Sequence, residues 1–470
     1  DLFGGYRNLY GVTKTAEIAV DRLVAEVDKL VPAYGELPIP LFDGYDLDTD
    51  PEDPVAFYER LAVPETIEIV ASSPRAYVDA VLPFVGGAPT IHGELLSGKY
   101  GATFPGSLSA RTYLKVLHSD AEKALHRVVE PLATMATAFG VDYDSEHCES
   151  ASRELLKNGV HDCLCGVSID QVHERMERSY RQLLDWSDRR QRELATAILG
   201  GFASGLYAVS SNPIRSTSIV RTTDAAVRLA TDGIGVFRID EHHPIRRRQT
   251  EIGDFRWSND HYTAFLDHDG LRVAGAGRVL RMIVREDSGD TYSSEPGRVL
   301  GELEHSGAIS FVDESDVDAT VRYEARLEVG ERRVEATVDV RFDDGPLIDI
   351  TVELDSTGSA MRVDAEFETA IEGDTVAAGM PFDIVVRPHD DRDLFGHDVD
   401  PDLASILMGQ RETGFITEFP FHDFVAMSDG TRAGAVLARG VRSYRSRSEG
   451  TITLTLRRAV EWLAATGLRS

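Results

Sequence analysis

The sequence predicts a multidomain α/β + α + β chain: a partial α/β barrel-like domain, a three-helix bundle and a large antiparallel β-sandwich, in that order. Two observations carry this. The apolar pattern changes twice, mixing a helical stretch with short apolar runs up to about residue 85, keeping a helical period from about 107 to 200, and alternating after Gly205. The chain also has 470 residues and 42% apolar composition, too long for one ordinary core and rich enough to build two or three.

In the first region Ala16, Ile18, Val20, Leu23, Val24, Val27 and Leu30 recur at helical spacing. Leu37-Pro38-Ile39-Pro40-Leu41-Phe42 then reads as a short strand that ends in the loop Asp43-Gly44-Tyr45-Asp46. In α/β folds the loop after a strand's C-terminal end is where catalytic groups usually sit. Thr66-Ile67-Glu68-Ile69-Val70 reads as a second strand, with a helix from Ser73.

In the second region Ser119-Asp120-Ala121-Glu122 has the form of a capping box before Leu125, Val128, Val129, Leu132, Met135 and Phe139. Gly140 would stop that helix and Pro131 would kink it. Ser168-Ile169-Asp170-Gln171 predicts another cap, opening a helix that runs toward Gly200-Gly201. A three-helix bundle is the economical reading.

In the third region Val321 to Val329, Val334 to Phe342 and Ile348 to Leu354 alternate around turns at Gly330-Glu331 and Asp343-Asp344-Gly345, an antiparallel meander. The expected domains are residues 1–85 (α/β), 86–204 (three-helix bundle), 205–413 (β-sandwich) and 414–470 (C-terminal β segment).

The formal charge is −30, with six lysines among 49 basic residues. A dispersed carboxylate excess suits a surface hydrated in strong salt, where charges are screened over about 3 Å at 1 M. With no basic cluster, a nucleic-acid partner is disfavoured. Cys148, Cys163 and Cys165 form no disulfide framework, and no stretch approaches a membrane span. A cytoplasmic, salt-loving protein with no membrane partner is expected. The opening Asp1-Leu2-Phe3-Gly4-Gly5, without Met, suggests a truncated N-terminus.

The strongest local signal is Asn158-Gly159-Val160-His161-Asp162-Cys163-Leu164-Cys165-Gly166-Val167-Ser168-Ile169-Asp170-Gln171-Val172-His173. His161-Asp162 reads as the end of one helix, broken at Gly166. That places an imidazole and a carboxylate on an inter-helix corner, either as a cap for the helix carbonyls or as part of a site. Elsewhere, Glu241-His242-His243 with Arg246-Arg247-Arg248 reads as a solvated loop. Phe255-Arg256-Trp257-Ser258-Asn259-Asp260-His261-Tyr262 reads as core packing or the wall of a cleft.

The 158–173 stretch resembles the signature of family 38 α-mannosidases, zinc-dependent glycoside hydrolases. Gly93-Glu94-Leu95, Gly106-Ser107-Leu108-Ser109-Ala110-Arg111-Thr112-Tyr113-Leu114-Lys115, Glu122 and Glu130-Pro131-Leu132 resemble further family blocks in order and spacing. So does the end, from Asp423-Phe424-Val425 through Arg439-Gly440-Val441 to Leu454-Thr455-Leu456-Arg457.

The resemblance implies a retaining hydrolysis of terminal α-mannosyl residues, with one zinc per complete active site. It implies that His161 is a zinc ligand and that Asp162 contacts the sugar. It also makes Asp46 the general acid/base, with Asp43 and Tyr45 as substrate contacts beside it. The family's His-x-Asp and nucleophilic Asp are not found in this chain. His118-Ser119-Asp120 has the right letters but reads as a helix cap. A mannoside or oligosaccharide substrate and a homo-oligomer are the implied partners. A non-catalytic carbohydrate-binding or scaffold chain that kept the fold is the alternative.

Overall fold

The computed structural model describes residues 18–42, 53–88, 90, 94, 104–305, 307–389, 418–464 and 468–469. The chain divides into two compact units, 1–102 with 397–408, and 103–396 with 409–470.

In the first unit the helix α1 (Ala19–Tyr34) buries Ala19, Leu23 and Leu30, the spacing of one helical face. Helices α2 (Pro54–Glu59) and α3 (Pro74–Val81) both start at proline behind a side-chain cap, Asp53 Oδ1 accepting from Val55 N and Ser73 Oγ from Ala76 N. Leu41, Ile67 and Ile69 pack on Ala19, Leu23 and Phe57. The segments expected as strands, Leu37–Phe42 and Thr66–Val70, are apolar and packed but are not strands among the described residues. A strand is made by its ladder, and neither segment has a strand beside it there.

The second unit opens with the helical bundle: α4 (Gly106–Ser109), α5 (Thr112–Glu122), a π-helical stretch Lys123–Val129, α6 (Glu130–Thr137), α7 (Ser145–Asn158), α8 (His161–Leu164) and α9 (Asp170–Leu199). The expected cap at Ser119 is corrected. The helix begins seven residues earlier, and Ser119 lies buried inside it. Lys115 is also buried on that helix, so polar residues on the inner face hid its true start. At Pro131 the helix continues into α6 through the preceding π-helical stretch. The widened turn accommodates a residue with no N–H to give and a ring that crowds the carbonyl four residues back. Leu114, Leu125, Leu155, Met176 and Tyr180 form one apolar cluster between these helices, and Val129, Leu132, Leu194 and Ile198 another.

From Leu206 onward the unit is antiparallel strand. A first six-stranded sheet runs in the order 296–302, 281–287, 361–368, 451–459, 443–447, 419–420. A second runs 348–357, 332–343, 318–329, 309–314, 246–252, with the short strand 304–305 also paired to 318–329. The predicted meander forms in register, Val321 facing Val340 and Val338 facing Val352. One core lies between the two sheets, joining Met282, Val284, Met361, Val363 and Ala365 to Val321, Tyr323, Val338, Val340 and Phe342. Strands after residue 418 pair with strands from 281–388, and the strands at 424–428 and 433–437 complete a four-stranded sheet with 375–379 and 384–388. Phe255, Trp257 and Tyr262 join the core, with the Trp257 indole donating to Asp343 O at 3.0 Å, so the packing reading of that segment holds. No described helix is long and apolar enough to cross a membrane.

Candidate functional site

The His161-Asp162 corner is built by fastening three helices just ahead of it. Asn158, the last residue of α7, donates its side-chain amide to Ser179 Oγ on α9 at 2.9 Å. The Tyr180 hydroxyl donates to Asn158 O at 3.4 Å and meets His118 Nδ1 of α5 at 3.0 Å. Val160 is extended (ψ 140°), so α7 cannot continue, and His161 opens its own helical turn rather than closing α7 as expected. Asp162 O then accepts from Val167 N at 3.2 Å and from the Ser168 hydroxyl at 3.1 Å. That contact engages the hydroxyl predicted to cap α9, whose first residue is Asp170, with Ile169 in the cap position.

The corner is locked from below by the Arg111–Lys115 block. Lys115 Nζ donates to Ala110 O at 2.6 Å and to Cys165 O at 3.2 Å, and Arg111 Nη2 donates to Asp170 Oδ1 at 2.8 Å. Gly166 takes φ +82°, and a Cβ there would lie 3.0 Å from Ala110 O, so only glycine lets the turn close on α5. The two motifs that carry the family resemblance are thus each other's packing partners. His161 and Asp162 are left facing solvent, 85% and 58% exposed, with Nε2 and Oδ1 3.5 Å apart.

Burial lowers the Lys115 amine to about 7; Cys165 opposes this, and Arg442, Arg111 and Arg458 add to it. Burial also takes the His173 imidazole down to about 4, aided by Arg111 and Lys115, so it is neutral at pH 7. Neither ring nitrogen of His173 has a hydrogen-bond partner among the described residues.

Sequence reasoning missed a neighbour, Tyr292. Its phenol is raised above the usual tyrosine range by burial and then by the charges of Asp162 and Asp290. Phe104 packs edge-on against it with ring centroids 5.5 Å apart. Its loop is an Asp-anchored turn: Asp290 Oδ1 accepts from Tyr292 N at 2.9 Å, Ser293 N at 2.7 Å and the Ser293 hydroxyl at 3.0 Å. The signal available in the sequence was Ser288-Gly289-Asp290-Thr291-Tyr292-Ser293-Ser294, a polar run between two strands.

Asp43, Tyr45 and Asp46 lie outside the described residues. A zinc ion takes about four N, O or S ligands. His161 and Asp162 offer two at most, and among the described residues no third donor joins them, so these residues alone do not fit a zinc site. The described donors that do converge, Asp267, His268 and Asp269, sit on a hairpin turn where Asp267 already pairs with Arg272.

Two solved structures share this architecture, an α-mannosidase from Enterococcus faecalis V583 (TM-score 0.79) and an Enterococcus faecalis protein of glycosyl hydrolase family 38 (TM-score 0.71). Each is 16% identical to this chain, and they cover 99% and 97% of it. The chain therefore shares the fold of these two proteins. Residues 102–198 match the α-mannosidase middle domain and residues 282–464 match the C-terminal domain of glycosyl hydrolases family 38, together more than half of the chain. The chain belongs to glycoside hydrolase family 38. A Halalkalibacterium halodurans protein provisionally named a mannosylglycerate hydrolase is 32% identical over 95 residues, 20% of this chain. The chain spans 64% of each solved relative and 10% of that curated one.

Proposed function

We propose that this chain belongs to a retaining, zinc-dependent glycoside hydrolase that removes terminal α-mannosyl residues. The observation that carries the reading is the exposed His161-Asp162 pair on a corner whose surroundings are all fastened, inside the segment that matches the α-mannosidase middle domain. An imidazole and a carboxylate held rigid and left open to solvent suit binding rather than stability, because a helix cap would be turned onto carbonyls. The Asp162 carboxylate accepts sugar hydroxyls.

His161 is the zinc ligand in this reading, with the remaining donors outside the described residues. A zinc ion held there would supply an electrophile for sugar oxygens. Asp46 is the acid/base: it protonates the leaving glycosidic oxygen and then takes a proton from the water that releases the sugar. No nucleophile is assigned. The name of the Halalkalibacterium halodurans relative makes a mannosyl-glycerate one substrate to test.

The test is hydrolysis of an aryl α-mannoside in concentrated KCl, the medium suited to the acidic surface, with metal content measured beside it. Wild type should hold one zinc per active site and turn over. His161→Ala should lose both while keeping its fold by circular dichroism. A His161→Ala protein with zinc and turnover intact refutes the assignment, and a folded wild type that binds mannosides without cleaving them favours the binding-chain alternative.

A further inference from the structure

The face of the first sheet turned away from the apolar core carries buried charge. Arg458, whose side chain is fully buried, is the member that reaches beyond the sheet. Its Nε and Nη2 form a fork on Asp287 at 2.6 and 3.0 Å. Nη1 donates to Gly106 O at 3.1 Å and Nη2 to Ser293 O at 2.8 Å. One side chain therefore ties a strand of the sandwich, the start of α4 and the loop that carries Tyr292.

The start of α4 and the loop also meet without side chains in between. Gly106 N donates to Tyr292 O at 2.8 Å, and a Cβ on Gly106 would lie 2.6 Å from Ser293 O. Asp287 Oδ1 also accepts from Gly289 N at 3.0 Å, so the carboxylate that orients the guanidinium also holds the loop's first turn. The sheet does not need Arg458 for its own cohesion, because a neighbouring group centred on Arg362 binds Asp364, Glu418 and Ser294.

We propose that Arg458 is a positioning residue of the His161-Asp162 site: clamped on Asp287, it holds the Gly106 and Ser293 carbonyls and thereby fixes α4, whose far end sets the Ala110 carbonyl against Lys115 Nζ and Gly166 of the corner. This rests on the functional reading above. A planar fork that spans two carboxylate oxygens and two carbonyls specifies position in a way that an ammonium on a flexible stem does not. Its effect on substrate passes through α4 and the corner that rests on it, and not through contact of its own.

The experiment uses the active hydrolase with Arg458→Lys and, as a wedge from the other side, Gly106→Ala. Amide exchange is followed without substrate, and kcat and KM are measured for an aryl α-mannoside. Both variants should lose at least about tenfold protection at Gly106 and 288–294 while amides of the meander at 318–357 keep theirs. Both should lose about 10²-fold in kcat/KM, the cost expected of a displacement near 1 Å in a reacting site. Should Arg458→Lys fold poorly, Gly106→Ala moves the same loop with Arg458 intact. Unchanged exchange in both variants overturns the clamp. Lost protection with kcat and KM unchanged overturns the positioning role. A wild type that turns over no α-mannoside removes the activity proposed above and this inference with it, and that result is read before any variant is made.

Discussion

The two faces of the first sheet are built from the same strands by opposite chemistry. In Met361–Glu368, Met361, Val363 and Ala365 enter the apolar core, while Arg362 and Asp364, equally buried, turn to the other side. Neighbouring strands repeat the pattern, with Val284 against Arg285 and Leu454 against Arg458. The apolar face is held by burial, which has no direction and tolerates sliding. On the charged face each guanidinium must find its partners at fixed angles, and there the sheet meets Gly106 and Ser109 of the bundle. Stability and placement are thus divided between the faces.

The largest effects should come from breaking each face once. Arg362→Ala leaves Glu418, Asp364 and Asp287 buried around a missing cation and should cost about 3–5 kcal/mol in denaturant unfolding at pH 7. Phe342→Ala, in the apolar core, should cost a similar ~3–5 kcal/mol. The two should separate with pH. Without Arg362 the Glu418 carboxyl can take a proton instead, so the cost of Arg362→Ala should shrink below about pH 4, and that of Phe342→Ala should not. Equal pH dependence would erase the distinction between the faces.

Next in size is the acid response of the wild type. Burial alone would raise the Glu418 carboxyl, but Arg362, Arg458 and Arg445 prevail and hold it at about 2. Unfolded, the group titrates near ~4.3, so as pH falls the unfolded chain takes the proton first. The stabilisation is complete above that value and is lost as pH falls toward 2. Lys115 gives a slope of the same sign at the alkaline end. Its amine sits at about 7 in the fold against ~10.4 unfolded, so stability should rise with pH between those values. Lys115→Met should flatten that rise, and an unfolding series from pH 6 to 10 checks it.

How much of this was legible in the sequence follows the same division. The meander was readable down to its turns, because Val321 to Leu354 alternates cleanly and a one-residue slip would turn every apolar residue out of the core. The His161-Asp162 corner was readable because its residues are contiguous. The charged face was not, since Arg362, Asp364 and Glu366 look in a sequence like the water side of a strand, and nothing local says that a helical bundle lies there. The start of α5 was hidden for the same reason, Lys115 and Ser119 being buried polar residues on its inner face. Tyr292 was out of reach because its link to Asp162 is long-range and its turn resembles an ordinary loop.

The smallest effect expected sharpens the comparison from outside. On the second sheet Arg322 and Asp339 stand directly opposite each other on neighbouring strands, with a two-point contact at 2.6 and 2.7 Å. By geometry this pair matches the Asp287 fork on Arg458. It differs in solvation, since Arg322 and Asp339 are 49% and 29% exposed. Water already satisfies both groups when they part, and salt screens their attraction, so Asp339→Asn should cost no more than about 1 kcal/mol, less at molar KCl than at low salt. Asp287→Asn should cost several times more and show little salt dependence, because its partner stays buried whether or not the carboxylate is charged. A comparable loss at the two positions would mean that contact geometry, and not burial, sets the worth of these pairs, and the division of labour between the faces of the sheet would have to be redrawn.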